Sequence, residues 1–326
     1  MRTAGKGLGQ SRFRCFRKGA NGFNGDMERS ENMTGAVLMM ASMAAFTFSD
    51  MFMKLLAEGL PLYQLLFLRG VVTTVVIGGI AWWVGTSGRA VARRDWLVIA
   101  MRTLAEMGAA FFFISALINT PLANVTAIMQ ALPLTMTLAA ALVFRDPVGW
   151  RRMAAIAVGF CGVMLIVRPG PEGIDVFALY GLAAVACVTV RDLSTRKLSR
   201  DVPSMLVSFA TSIAMMVTFG LATMGQTWVD MDVRQVGLIG GASLCVIGGY
   251  ITSIMVMRMG EISFVAPFRY TALIWALLLG WLVFGHWPDP LTLLGGAIVV
   301  ASGLFTLYRE ARDIRRRLRA RALRPR

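Results

Sequence analysis

The sequence has few of the groups with which soluble enzymes perform chemistry. Among its 326 residues only 16% are charged, four are cysteines and one is a histidine. A single histidine without a cysteine cluster excludes an ordinary zinc site, and no Gly-x-Ser-x-Gly, His-Glu-x-x-His or phosphate-loop pattern occurs. These absences argue against a metal, a cofactor, hydrolytic chemistry and ATP-driven pumping, so we predict that the chain is not an enzyme.

Charge is missing altogether from long stretches of the chain, and 56% of its residues are apolar. A single soluble core does not fit that composition. Ten segments have roughly the 20 apolar residues that a helix needs to cross a hydrocarbon core. They cover residues 33–54, 61–84, 96–118, 122–144, 151–167, 176–197, 203–224, 235–257, 262–284 and 290–308. We therefore predict an all-α integral membrane protein with ten transmembrane helices.

The chain also repeats itself. The repeated residues are Asp50 and Pro61, which recur as Asp192 and Pro203 at an offset of 142, and Val143-Phe144, which recurs as Val283-Phe284 at an offset of 140. Each copy holds five apolar segments, and an odd number places the second copy upside down in the membrane relative to the first. We expect two inverted five-helix repeats, over 33–168 and 175–308, with a binding site at their interface.

Basic residues outnumber acidic ones by 33 to 18, which gives a formal charge of +15. Their distribution argues against nucleic acid as a partner, because Lys and Arg gather in alternate loops, as membrane orientation requires. One set of loops carries Arg89, Arg93, Arg94, Arg145, Arg151, Arg152, Arg196, Lys197, Arg200 and Arg258, and the other carries only Lys54, Arg168 and Arg234. This asymmetry predicts that both termini are cytoplasmic and that the Arg-rich tail, 309–326, contacts membrane lipid.

The N-terminal 32 residues differ in composition from the rest of the chain. They are basic and Gly-rich, and no apolar signal-peptide core precedes Met27. We predict a disordered cytoplasmic extension. Translation that starts at Met1, Met27 or Met33 fits the sequence equally.

Three stretches resemble a known family of membrane carriers. They read FISALINTPLANVTA at 113–127, ALPL at 131–134 and GFCGVMLIVRP at 159–169. The first two are similar to the third-to-fourth helix signature of the drug/metabolite transporter superfamily, EamA type, and the last to its fifth helix and exit turn. The resemblance covers about 33–308.

That resemblance implies a ten-helix carrier with a central cavity, which moves amino acids, nucleotides, vitamins, drugs or related metabolites. The charged third helix and the segment from Arg191-Asp192 to Arg196-Lys197 look most like members that carry S-adenosylmethionine or riboflavin. The family usually ends its fourth and ninth helices with Gly-Glu, whereas this chain has Arg145-Asp146 and Gly285-His286 there. A role that other members give to those glutamates is therefore not assigned to any residue of this chain.

Ionisable residues inside spans point to a site, because each costs about 2.5–3.5 kcal/mol on insertion scales unless it has a partner or a wet cavity. Arg102 and Glu106 lie four residues apart on the third span, and hence on one helix face. They form either an internal salt bridge or a cavity wall. In the second case Glu106 binds a cationic group or takes a proton.

Asp50 and Asp192 occupy equivalent places in the two copies. Inversion puts them near opposite membrane faces, where they are candidate gate residues. The alternative is a pair of helix-end ion pairs at a spacing of four, Asp50 with Lys54 and Asp192 with Arg196.

Arg69 and Arg269 have no acid within four residues, so each needs a partner on another helix or a cavity. Arg269 follows Pro267, and a proline inside a span is tolerated where the break lines a cavity or packs against protein. With Tyr270, Arg269 is our preferred contact for an anion or carboxylate. A structural bridge from Arg269 to Glu106 is the alternative.

Aromatic residues in the spans are candidates for stacking on a planar substrate, although most aromatics in spans face lipid or pack. The set comprises Phe111, Phe112, Phe113, Tyr250, Tyr270, Trp275 and Trp281. Tyr250 and Tyr270 are favoured because a buried phenol needs a hydrogen-bond partner.

Together these features predict a secondary carrier of a small polar metabolite that works by alternating access. An intramembrane enzyme or a passive pore that uses the same polar cavity is the alternative. We expect a monomer or homodimer in the plasma membrane, which by family resemblance is a bacterial inner membrane.

Overall fold

The computed structural model describes residues 8–84, 92–144, 149–168, 175–199, 202–258 and 262–322, and these ranges are helical with short connections. The helices are α1 (Leu8–Leu56), α2 (Leu62–Val84), α3 (Arg93–Asn119), α4 (Leu122–Met129), α5 (Leu132–Phe144), α6 (Trp150–Val167), α7 (Val176–Lys197), α8 (Ser204–Thr223), α9 (Val233–Arg258), α10 (Ile262–Val265), a 3-10 helix (Ala266–Tyr270), α11 (Thr271–Phe284) and α12 (Pro290–Ala322). The predicted loop residues Arg89, Arg145, Asp146, Pro169 and Arg200 lie outside the described residues.

The prediction of ten spans is confirmed. Ten helical stretches in the described ranges are long and apolar enough to cross a membrane, and each overlaps a predicted segment. The first begins at Asn32 by this measure, but α1 is helical from Leu8, where the composition predicts a disordered extension. Adding a residue to an existing helix is far easier than starting one, which accounts for helical backbone in a Gly-rich stretch beside a long span.

Prolines and aspartates set the ends of several helices. Pro61, Pro121 and Pro203 stand immediately before α2, α4 and α8, where a missing N–H leaves no helical hydrogen bond unmade. Asp175 caps α7, since its Oδ1 accepts from Phe177 N at 3.0 Å. Pro61 and Pro203 are the repeated prolines of the sequence, so equivalent helices begin in the same way.

The two repeats pack on each other more than within themselves. The four most extensive helix contacts are α1 with α9, α3 with α7, α2 with α8 and α6 with α12, and each joins one repeat to the other. The first two are equivalents under the inverted repeat, because spans one and six correspond, as do spans three and eight. The fold is therefore an interlocked pair of inverted five-helix units, as the sequence predicted.

A close backbone crossing joins α6 to α12. A Cβ atom added to Gly162 would lie 2.8 Å from the backbone oxygen of Gly295, and one added to Gly295 would lie 2.6 Å from that of Gly162. No larger side chain fits at such a distance without moving a helix. Small residues that let helices approach closely are the usual means of packing within a membrane.

Spans four and nine are both discontinuous. The fourth breaks at Gln130, between α4 and α5, and the ninth passes through the 3-10 helix between α10 and α11. Gln130 and Tyr270 are equivalent at the repeat offset of 140, and Gln130 Nε2 donates to the backbone oxygen of Tyr270 at 3.4 Å. The two breaks thus meet inside the molecule, where discontinuous helices of carriers place their binding sites.

Candidate functional site

A cluster of four charged side chains lies between α3, α7 and the 3-10 helix. Arg191 NH1 donates to both carboxylate oxygens of Glu106, at 3.3 and 3.2 Å. Its Nε donates to Asp192 Oδ1 at 2.8 Å. The structure therefore pairs Glu106 with Arg191, and neither of the partners considered from the sequence, Arg102 or Arg269, holds it.

Arg191 is the functional candidate that sequence reasoning missed. The family resemblance includes it only as part of a segment, but it is an intramembrane arginine next to a repeated aspartate, which was the available signal. Its side chain is 25% exposed, and those of Glu106 and Asp192 are 24% and 33% exposed. All three are half-buried, so solvent or a ligand reaches the cluster while protein surrounds most of it.

Arg102 has a different role from the predicted salt bridge. Its Nε donates to Thr195 Oγ1 and its NH1 to Thr211 Oγ1, both at 3.0 Å. These bonds join α3 to α7 and α8 with neutral acceptors. Thr211 stands where Arg69 stands in the first repeat, at the offset of 142, so the second repeat lacks the equivalent cation and Arg102 occupies that region.

Arg269 is exposed and has no direct partner among the described residues. Pro267 supplies no N–H, and the chain around it forms the 3-10 helix from Ala266 to Tyr270. The Arg269 side chain is exposed and lies within electrostatic range of Asp192 and Arg191. Among the described residues no hydrogen bond or ion pair of its guanidinium is found. A guanidinium inside a span that has no partner among the described residues is available to an anionic group.

Tyr270 is buried against α12. Its side chain is only 6% exposed, and its hydroxyl packs against Gly303 of α12. The hydroxyl has no hydrogen-bond partner in the described part of the chain. Tyr270 therefore packs between the broken span and α12, and it lies within electrostatic range of Arg269.

Tyr250 faces the cluster from α9. It is 54% exposed, meets the ring of Phe46 edge-on at 5.3 Å and lies within electrostatic range of Arg191. It also lines a cleft between α1, α2 and α9, whose other polar lining includes Ser49 and Arg69. Tyr250 is therefore the residue that links the charged cluster to an open, largely apolar cleft.

A second charged pair lies toward the opposite end of the molecule. Asp50 on α1 is within electrostatic range of Arg69 on α2, but no ion pair within 4.0 Å joins them. Asp50 lies six residues before the end of α1, and Arg191 lies six before the end of α7. That is about 9 Å of helix in each case. Because the repeats are inverted, the two charged sets lie at different depths.

Lys54 does not serve Asp50 as the helix-end partner considered from the sequence. Its Nζ donates to the backbone oxygens of Leu117 and Thr120, each at 2.6 Å, and lies 5.6 Å from the ring centroid of Phe284. Its equivalent, Arg196, lies 4.8 Å from the ring of Phe144. The repeated Val-Phe pairs thus provide an aromatic face for an equivalent cation at each end.

Three of the remaining aromatic candidates, Phe111, Phe112 and Trp275, contact other aromatic rings. Phe111 and Phe112 both meet Tyr180 of α7, at centroid distances of 6.3 and 5.3 Å. Trp275 packs on Phe48 at 6.4 Å, and Trp281 is 54% exposed. Within the described ranges no group of three or more His, Cys, Asp or Glu side chains is placed to hold a metal ion.

The comparisons with known proteins agree with this architecture. Residues 33–168 match the EamA-like transporter family. The S-adenosylmethionine uptake transporter of Rickettsia prowazekii is 22% identical over 289 residues, 86% of this chain and 95% of the relative. The riboflavin transporter of Vibrio cholerae is 28% identical over 216 residues, 65% of this chain and 72% of the relative. The pseudopaline exporter of Pseudomonas aeruginosa is 25% identical over 275 residues, 81% and 93% of the two chains.

A solved structure, described only as the crystal structure of a protein, has the same fold. It superposes with a TM-score of 0.56 at 18% identity and covers 87% of this chain and 99% of its own. All three named relatives are transporters, and each aligns across both repeats or most of them. The ten spans, the interlocked repeats, the EamA-like match over 33–168 and the named relatives support a multi-pass membrane transporter that is similar to EamA-type carriers of the drug/metabolite transporter superfamily.

Proposed function

We propose that the chain is a secondary transporter that moves a small polar metabolite across the plasma membrane by alternating access. Candidate substrates are S-adenosylmethionine and riboflavin, which the names of two relatives specify. Amino acids and related metabolites are further candidates. The observation that carries the proposal is Arg269, an exposed guanidinium without a direct partner among the described residues, at the break in span nine.

The position of Arg269 is difficult to explain by packing alone. An arginine inside a span is costly, by up to about 2.5–3.5 kcal/mol at the centre on insertion scales, and such residues are found facing cavities or marking substrate pathways. Broken helices line the binding sites of many secondary transporters. A carboxylate or phosphate would satisfy the guanidinium with two parallel hydrogen bonds.

The helix packing suggests which parts move. The pairs α1/α9 and α3/α7 have extensive internal contact, whereas contact between the pairs is sparse. The charged side chains of α3 and α7 face Tyr250 of α9 across that boundary. Two tight pairs around a weakly packed boundary fit a rocking movement about a central site.

Orientation follows the distribution of basic loop residues. We place both termini and the Arg-rich tail in the cytoplasm, and the Asp50 and Arg69 pair toward the outer face. The plasma membrane is then the bacterial inner membrane, as the bacterial relatives suggest.

Solute counterflow in proteoliposomes tests the function. Vesicles are loaded with unlabelled S-adenosylmethionine, riboflavin or mixed amino acids, and the labelled form is added outside. We expect transient, saturable accumulation of one label. The rate should fall about tenfold or more in Arg269→Ala, because a charge-assisted contact is lost.

Arg234→Ala is the matched control, because Arg234 is an exposed arginine at the start of α9, and it should transport normally. Uptake without saturation or exchange would instead indicate a pore. Chemical change of the label would indicate an enzyme.

A further inference from the structure

We propose that the space between Arg269 and Asp192 receives an α-amino-acid head group, with the substrate carboxylate on Arg269 and its ammonium on Asp192. This inference rests on the proposed function and specifies the chemical class of its substrate. It distinguishes the two leading candidates, because S-adenosylmethionine carries such a head group and riboflavin does not.

Each of the two residues has unused hydrogen-bonding capacity. Asp192 accepts from Arg191 through Oδ1, and its other oxygen has no hydrogen-bond partner among the described residues. The guanidinium of Arg269 makes no hydrogen bond to another described residue. Neither side chain is fully buried. The side chain of Asp192 is 33% exposed, and Arg269 is exposed.

The two groups are close but are not joined. Arg269 feels the charge of Asp192, yet no ion pair within 4.0 Å connects them, whereas Arg191 reaches its neighbours at 2.8 and 3.2 Å. A separated guanidinium and carboxylate match the two ends of a zwitterion. The fork of arginine suits a carboxylate, and an ammonium supplies three donors to an acid.

The charge balance of the cluster favours a head group that is neutral overall. Glu106 and Asp192 offset Arg191 and Arg269, so the four side chains sum to zero. An anion or a cation bound alone would leave a net charge in a low-dielectric site, which is unfavourable. A zwitterion leaves the sum at zero and satisfies both free groups.

The rest of the substrate would extend along Tyr250 toward the cleft that this residue lines. Tyr250 adjoins the cluster and also lines the cleft between α1, α2 and α9, whose only charged lining residue in the described part of the chain is Arg69. Its half-exposed ring is available for stacking on a planar group. We therefore expect a head group at Arg269 and Asp192 with an aromatic or aliphatic body along Tyr250.

Binding to the purified full-length protein tests the inference with matched compounds. S-adenosylhomocysteine and methylthioadenosine share a thioether adenosine and differ in the amino-acid head. Leucine is compared with isoamylamine, which lacks the carboxylate, and isocaproate, which lacks the ammonium. We expect S-adenosylhomocysteine or leucine to raise the thermal unfolding midpoint, and each compound with a truncated head to require about tenfold or more higher concentration.

Two variants assign the groups. Asp192→Asn should weaken binding of the zwitterion and leave the affinity for isocaproate unchanged. Arg269→Gln should weaken binding of the zwitterion and leave the affinity for isoamylamine unchanged. Arg269→Lys should restore part of the affinity. The comparison of ligands on the unmodified protein needs no variant, so a folding defect in either one leaves the test decisive.

The inference is overturned if neither head-bearing compound binds, or if methylthioadenosine or riboflavin binds as tightly as they do. Riboflavin counterflow without zwitterion binding would leave the proposed function in place and remove the head-group site. Zwitterion binding without counterflow of any label would do the reverse.

Discussion

At the scale of single residues, one arginine holds two acids. Arg191 bonds to Glu106 and Asp192, and these contacts connect positions 85 residues apart as well as adjacent ones. Deleting one partner of an enclosed ion pair is strongly unfavourable, because the other charge is left without compensation. Partial exposure reduces that effect here.

Arg191→Ala should therefore lower stability more than Glu106→Gln, since it leaves two acids facing each other and Glu106→Gln leaves Arg191 with Asp192. Thermal unfolding in detergent measures both. If the pair is purely structural, adding Glu106→Gln to Arg191→Gln should recover stability and transport together. Recovered stability without transport would show that the charges act on the substrate.

Proton coupling is a separate proposal at this scale, with Glu106 and Asp50 as its candidate groups. A carboxylate that takes a proton during transport should lose that ability as an amide. Glu106→Gln should flatten the dependence of the counterflow rate on pH. An unchanged rate and an unchanged pH profile would remove Glu106 from the coupling mechanism.

At the scale of helices, Lys54 stabilises the end of a neighbouring span. The last carbonyls of a helix lack partners, and cations are favourable there. Lys54 supplies three hydrogen bonds to the end of α3, at Leu117, Ile118 and Thr120. It thereby connects α1 to α3, which belong to different tight pairs.

Lys54→Met keeps the length of the side chain and removes its donors. It should lower the free energy of unfolding by about 1–2 kcal/mol. Lys197→Met is the control, because Lys197 is exposed and lies at 6.0 Å from its nearest ring, that of Phe144. Equal effects of the two substitutions on the unfolding midpoint would contradict the capping role.

The crossing of α6 and α12 makes a second prediction at this scale. Gly162→Ala should destabilise the protein, because its new Cβ meets the backbone of α12. Gly237→Ala has open space around it and should be neutral or slightly stabilising, since alanine favours the helix. Expression level and unfolding midpoint compare the two, and an unperturbed Gly162→Ala would show that the crossing adapts.

The sequence predicts helices better than it predicts their partners. About 20 consecutive residues are enough to identify a span, and the inversion of the repeats follows from the odd number of spans in each repeat. The break at Pro267 was visible for the same local reason. The sequence did not show that Glu106 pairs with Arg191 and not with Arg102, because that pairing depends on how α3 and α7 pack. The break at Gln130 had only Pro133, three residues later, as its local signal.

At the scale of the whole molecule, the packing divides the spans into units. The pair α3/α7 is bonded along its length, from Asp95 with Ser199 at one end to the aromatic contacts of Phe112 and Tyr180. The pair α1/α9 is joined by Ser42, whose hydroxyl donates to the backbone oxygen of Gly249 at 2.8 Å. If these pairs move as rigid units, a covalent bond within one should be tolerated.

A native cysteine permits that test. A Cβ at Gly108 on α3 would lie 4.0 Å from the Cβ of Cys187 on α7, a separation that suits a disulfide. Gly108→Cys, with the other three cysteines replaced by alanine, should form that bond on oxidation and keep its counterflow rate. The matched lock joins α1 to α3, through Lys54→Cys and Thr120→Cys with a short bis-methanethiosulfonate crosslinker, which attaches through reducible disulfides, in a chain without other cysteines.

The lock should stop counterflow after crosslinking and release it on reduction, because it ties the two pairs together where Lys54 now bonds to Thr120. The opposite result, transport lost within a pair and kept across pairs, would mean that α3 and α7 slide on each other. The rigid units would then be the two repeats, and not the inter-repeat pairs α1/α9 and α3/α7.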